Sequence, residues 1–123
     1  MNKVPHVILA EDEDLVAMSL SIALEDAGCR VTVTHNGLEA LQMDEADPAD
    51  VLVTDMRMPE MDGATLIRMI RRRRSTLPIV VMTGYSDGLP REEANRLVLL
   101  RKPFAPDTLA WNVQSLLAGT GTP

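Results

Sequence analysis

The chain has 123 residues, 46% hydrophobic and 24% charged, which suits one soluble globular domain with a single sizeable core. No apolar stretch approaches the roughly 20 residues that cross a bilayer, and MNKVPHVILAEDED meets a cluster of acids too early for a signal peptide. The net charge of −6 divides into −11 over residues 1–62 and +5 over residues 63–123, and the single Cys29 excludes an internal disulfide, as in a reducing cytoplasm.

The first predicted element is a strand, Val7–Ala10, followed by a helix from about Asp14 to Ala27. Leu15, Met18 and Ile22 share one face of that helix at i, i+3, i+7 spacing and are expected to face the core, with Gly28 as its stop. Arg30–Thr34 alternates as a strand, and His35-Asn36-Gly37 turns the chain into a short helix from Leu38 to about Glu45. Val51–Asp55 is the third strand. Met56–Gly63 is a loop marked by Pro59 and Gly63, and a third helix over about Ala64–Arg74 buries Leu66, Ile67 and Ile70. The fourth strand follows Pro78. Gly84–Arg96 reads mostly as loop, with room for a short helix around Pro90–Arg96. Leu97–Arg101 is the fifth strand, and a last helix runs from near Pro106–Asp107 to just before Gly119.

Five strands alternating with helices predict a (βα)5 doubly wound parallel sheet in one domain over 1–123, its core about 5–118. Short β-branched runs without alternation suit strands buried on both faces. On the last helix, Leu109, Val113, Leu116 and Leu117 face inward, which turns Trp111 roughly 160–200° away, toward solvent or a partner.

The polar residues at the strand ends carry the chemistry. VILA ends in Glu11 and Asp12, VLVT in Asp55, PIVVM in Thr83, and LVLLR in Lys102 and Pro103. Ligands of open α/β sheets bind at the carboxyl ends of the strands, so three carboxylates, a hydroxyl and an ammonium are expected at one end. Glu11, Asp12, Glu13 and Asp14 are consecutive acids whose repulsion a divalent cation would relieve. Glu13 and Asp14 equally suit a helix start, where the macrodipole favours acids. Magnesium takes oxygen ligands from one or two carboxylates plus phosphate and water.

The segment VLVTDMRMPEMDG (Val51–Gly63), with EDED after the first strand and RKPF after the fifth, resembles the response-regulator receiver domain from about Pro5 to Leu117. The resemblance implies a flavodoxin-like fold with strand order 2-1-3-4-5. It implies that Asp55 is the phosphoacceptor, that Asp12 binds Mg²⁺ directly with Glu11 helping through water, and that the Arg57 backbone carbonyl is a further metal ligand. Thr83 and Lys102 would each hold a phosphoryl oxygen, and Pro103 matches a family cis peptide. The sequence departs from the family at Leu99, where receivers commonly carry Tyr or Phe, and in a short Thr83–Lys102 stretch. Tyr85 and Arg57, two residues past Thr83 and Asp55, occupy positions that tune water access in the family.

The function so implied is a cytoplasmic phosphorelay receiver, not a turnover enzyme beyond self-catalysed phosphoryl transfer and dephosphorylation. Its donor would be a histidine kinase or histidine phosphotransfer protein, its output a downstream protein target, with a weak homodimer as an option. Two alternatives are a phosphorylation-independent interaction module and a Mg²⁺ phosphohydrolase; Arg57, where haloacid-dehalogenase-type enzymes have a second Asp, argues against the latter. Arg71–Arg74 invites a nucleic-acid reading, but a pI near 4.8 and the absence of an aromatic-interleaved basic stripe favour a solvated helix end. No nucleic-acid or membrane partner is expected, and His6 and His35 lack ligand-spaced partners.

Overall fold

Parallel pairing of five strands organises the computed structural model, which describes residues 3–84, 90–93 and 96–119. In chain order the elements are β1 (His6–Ala10), α1 (Asp14–Asp26), β2 (Arg30–Thr34), α2 (Gly37–Ala46) and β3 (Val51–Asp55). α3 (Gly63–Arg73), β4 (Ile79–Thr83), β5 (Leu97–Arg101) and α4 (Pro106–Ala118) complete them. The sheet order β2-β1-β3-β4-β5 is the flavodoxin-like order expected from the resemblance. β1, β3 and β4 are buried along their whole length, which explains their unbroken apolar runs.

Successive strand side chains alternate between two cores. Val7, Leu9, Val53, Val80 and Met82 pack with Leu20 and Leu24 of α1 and Leu109 and Val113 of α4. Ile8, Ala10, Leu52, Ile79 and Val81 pack with Ala40 of α2 and with Leu66, Ile67 and Ile70 of α3. The register sets Ala10 beside Thr54, Asp55 beside Met82 and Thr83 beside Arg101, so the residues that follow these strands emerge along one edge.

The expected core face of α1 is corrected. Leu15, Met18 and Ile22 are 81%, 59% and 53% exposed, while Ala17, Leu20 and Leu24 are buried. Both sets have i, i+3, i+7 spacing, so periodicity could not choose between them. Packing selects the set containing Ala17, whose small side chain lets the helix sit close to the sheet.

Between β4 and β5 the described residues 90–93 and 96 form no helix, in keeping with the mostly loop-like reading of Gly84–Arg96, and residues 85–89 and 94–95 lie outside the described residues. Glu93 and Leu97 exchange backbone bonds at 3.0 and 2.9 Å as an isolated antiparallel bridge, which ties the segment before β5 to its first residue.

The Arg71–Arg74 run is not simply a solvated helix end. Arg71 donates to the carbonyls of Arg74, Leu77 and Arg96 at 3.2, 2.8 and 3.2 Å and pairs with Glu93 at 2.9 Å. Arg74 pairs with buried Asp44 at 2.5 Å and donates to the Ala49 carbonyl at 2.9 Å. These two guanidiniums tie α3 to the neighbouring connections. Trp111 is 66% exposed, as its helical phase predicted, and Cys29 is buried.

Glu60 adopts φ 67°, and the Met61 N–H donates to the Pro59 carbonyl at 2.7 Å, closing a three-residue turn around it. A left-handed L-residue costs about 1–2 kcal/mol, partly offset against glycine by the latter's larger chain entropy. Glu60→Gly is therefore expected to raise stability by about 0.5 kcal/mol in urea unfolding, and Glu60→Val to lower it by about 1 kcal/mol. A Val variant as stable as wild type would show that the turn relaxes without cost.

Candidate functional site

Asp55 closes β3 and stands at the floor of a cleft of about 530 Å³, bounded by Asp12, Glu13, Met56, Arg57, Gly84 and Lys102. Its side chain is fixed by two neighbours. The Met56 N–H donates to Oδ1 at 2.8 Å, and Lys102 Nζ lies 3.1 Å from Oδ1 and 3.0 Å from Oδ2. Lys102 can reach there because its own N–H is bonded to the Thr83 carbonyl at 2.8 Å, which holds the end of β5 against the end of β4. The Lys102–Pro103 peptide that follows is cis, as the resemblance implied.

Glu11, Asp12 and Asp55 each place a carboxylate oxygen within 4.8 Å of the others. Like charges at that spacing repel one another, less so where solvent screens them. Glu11 feels this most because it is fully buried, whereas Asp12 is exposed. Burial, followed by the nearby Asp55 carboxylate, pushes the Glu11 carboxyl up to about 7, against the lowering effect of the Glu13 N–H that donates to Oε2 at 3.1 Å. The other oxygen, Oε1, is buried with no hydrogen-bond partner. An orphaned carboxylate oxygen beside two further acids fits a hard divalent cation, since an all-oxygen donor set is what magnesium takes.

The remaining sequence-predicted residues fall around this centre. Arg57 is exposed in the loop after β3 and lines the cleft. Thr83 ends β4 with its side chain buried, next to Gly84, which lines the cleft. Leu99 is half-buried against the second core, and its N–H donates to Glu92 Oε2 at 2.9 Å. Tyr85 lies outside the described residues.

Two contributors were not legible as site residues. Glu13, which the sequence presents as a helix-start acid, lines the cleft and supports Glu11 through its backbone. Gly63 is required by close approach: a Cβ there would lie 2.2 Å from the Asp55 carbonyl oxygen, while its N–H bonds the Met56 carbonyl at 3.0 Å. The loop-ending glycine signalled a turn, but not that α3 starts against the backbone of Asp55.

Comparison with known proteins agrees with this geometry. The family described as the response regulator receiver domain matches residues 7–114. Sensor kinase CckA of Brucella abortus is 36% identical over 118 residues, covering 90% of this chain and 12% of its own length. Response regulator MprA of Mycobacterium ulcerans is 34% identical over 118 residues, covering 94% of this chain and 51% of its own length. The chain thus spans at most about half of these relatives. Among solved structures, the receiver domain of a sensor histidine kinase from Pseudomonas aeruginosa PAO1 has a TM-score of 0.80 at 26% identity, covering 94% of this chain and 98% of that one. That structure has a magnesium ion coordinated in its active site cleft. No helix among the described residues is long and apolar enough to cross a membrane.

Proposed function

The chain belongs to the response regulator receiver family, and from that premise we propose that Asp55 accepts a phosphoryl group from a phosphohistidine donor. The observation that carries this reading is the carboxylate of Asp55 held by Lys102 beside the carboxylates of Glu11 and Asp12. One Asp55 oxygen forms a bond to phosphorus as the P–N bond of the donor breaks, the electron pair leaving with the imidazole. Glu11, Asp12, Asp55 and the Arg57 backbone carbonyl would hold Mg²⁺, which neutralises charge on the transferring group. Lys102 exchanges its carboxylate partner for a phosphoryl oxygen, and the Thr83 hydroxyl takes another. Transfer and later hydrolysis are carried by this same site without a separate catalyst, so the domain signals rather than turns over substrate.

The donor would be a histidine kinase or a histidine phosphotransfer protein, and the output a change of surface read by a downstream protein, all within one receiver unit over about 5–118. The exposed Leu15, Met18 and Ile22 of α1, the helix that follows Asp12 and Glu13 of the cleft, supply an apolar seat for the donor. A phosphorylated histidine kinase is expected to pass label to the wild-type chain in Mg²⁺, and EDTA to prevent it. Met18→Glu should slow that transfer by roughly tenfold or more, while labelling from acetyl phosphate stays unchanged, because only the protein donor needs the apolar face. No labelling from either source would leave the domain a phosphorylation-independent interaction module.

A further inference from the structure

We infer that Gly37 is a positioning residue for the acceptor site: the start of α2 clamps the loop that follows Asp55 and sets where the Arg57 carbonyl stands. This deepens the phosphoacceptor reading and rests on it. Loop 56–62 carries Arg57, and two of its backbone bonds are local, Met61 N–H to Pro59 at 2.7 Å and Gly63 N–H to Met56 at 3.0 Å. A third leaves the loop, with the Gly37 N–H donating to the Met61 carbonyl at 2.8 Å.

Gly37 is the first residue of α2, where helix N–H groups have no partner within the helix and the positive end of the dipole favours an oxygen. Asn36 fixes that end, its side chain accepting from the Glu39 N–H at 2.9 Å. Contact, and not backbone conformation, demands glycine here. Gly37 has no left-handed φ, yet a Cβ on it would lie 2.6 Å from the Met61 carbonyl oxygen and 2.9 Å from Met61 Cγ. Alanine is otherwise the better helix residue, so its effect isolates the contact. Met61 packs into the second core together with Met56 and Met58, which flank Arg57, so displacing it moves the segment that carries the carbonyl proposed to hold the metal.

Gly37→Ala is expected to weaken Mg²⁺ binding by about tenfold, the loss typical when support behind a metal ligand is disturbed. Binding is read from Mg²⁺-dependent thermal stabilisation and from amide shifts of Asp12 and Arg57. Labelling by acetyl phosphate should fall at limiting Mg²⁺ and recover toward wild type at saturating Mg²⁺, a pattern that general destabilisation would not produce. Asn36→Ala, which loosens the clamp without a clash, should show a smaller loss in the same direction and decides the matter where Gly37→Ala does not fold. Unchanged Mg²⁺ affinity in the folded variants overturns the clamp. A wild-type chain that binds Mg²⁺ but takes no phosphoryl group overturns the phosphoacceptor reading instead, and the Mg²⁺ titrations still judge Gly37.

Discussion

Asp55→Asn is expected to abolish phosphoryl incorporation from both acetyl phosphate and a phosphohistidine donor while leaving a folded protein. The amide has the shape of the carboxylate but is a far weaker nucleophile, and among the described residues no other carboxylate is held by both Lys102 and a backbone N–H. Stability should change by less than about 1 kcal/mol, because two effects oppose. The pairing with a partly exposed Lys102 is weakened, and repulsion from Glu11 and Asp12 is relieved. Intact-mass measurement of the adduct and a urea unfolding curve check both halves. An Asn variant that still gains a stable phosphoryl mass would move the acceptor elsewhere.

Metal-free protein is expected to lose stability as pH rises from 5 to 8, and Mg²⁺ to restore it. Glu11 keeps its proton up to about 7 in the folded chain, against an ordinary 4.5 when unfolded. Between those values the folded state binds more protons, so unfolding becomes easier with rising pH. The loss begins near 4.5 and is complete just above 7, and the gap is worth up to about 3 kcal/mol. A cation near the carboxylates favours the ionised form and stabilises the fold by mass action. Glu11→Gln removes the titrating group and should flatten this slope, while much of the Mg²⁺ effect is lost because an amide is a poor ligand for the ion. Urea midpoints at pH 5 and 8, with EDTA or with Mg²⁺, are the measurement. A Gln variant with the wild-type slope would assign the pH dependence to other groups.

The parallel sheet and its central strands were legible because β1, β3 and β4 are buried on both faces and therefore apolar throughout, while the strand order came from the family resemblance. Their polar ends, Glu11–Asp12, Asp55, Thr83 and Lys102, stood out against those runs. α1 was read on the wrong face because Leu15–Met18–Ile22 and Ala17–Leu20–Leu24 have the same period. Hydrophobicity favoured the set of three large side chains, whereas packing against the sheet favoured the set with the small Ala17. The loop character of Gly84–Arg96 was legible from its Gly and Pro residues, but the bridge between Glu93 and Leu97 was not.

By itself, then, the sequence determined which short runs are apolar, where strands end and what chemical groups follow them, since these are properties of neighbours along the chain. Tertiary structure decided what depends on distance between remote segments. It left Glu11 buried with an orphaned oxygen while adjacent Asp12 remained exposed, and it brought Lys102 onto Asp55. It gave Arg71 and Arg74 carbonyls and carboxylates to hold, and it set Gly37 and Gly63 against the backbone of the acceptor loop. Charge, burial and close approach at such points arise from pairs far apart in the chain, and only folding brings those pairs together.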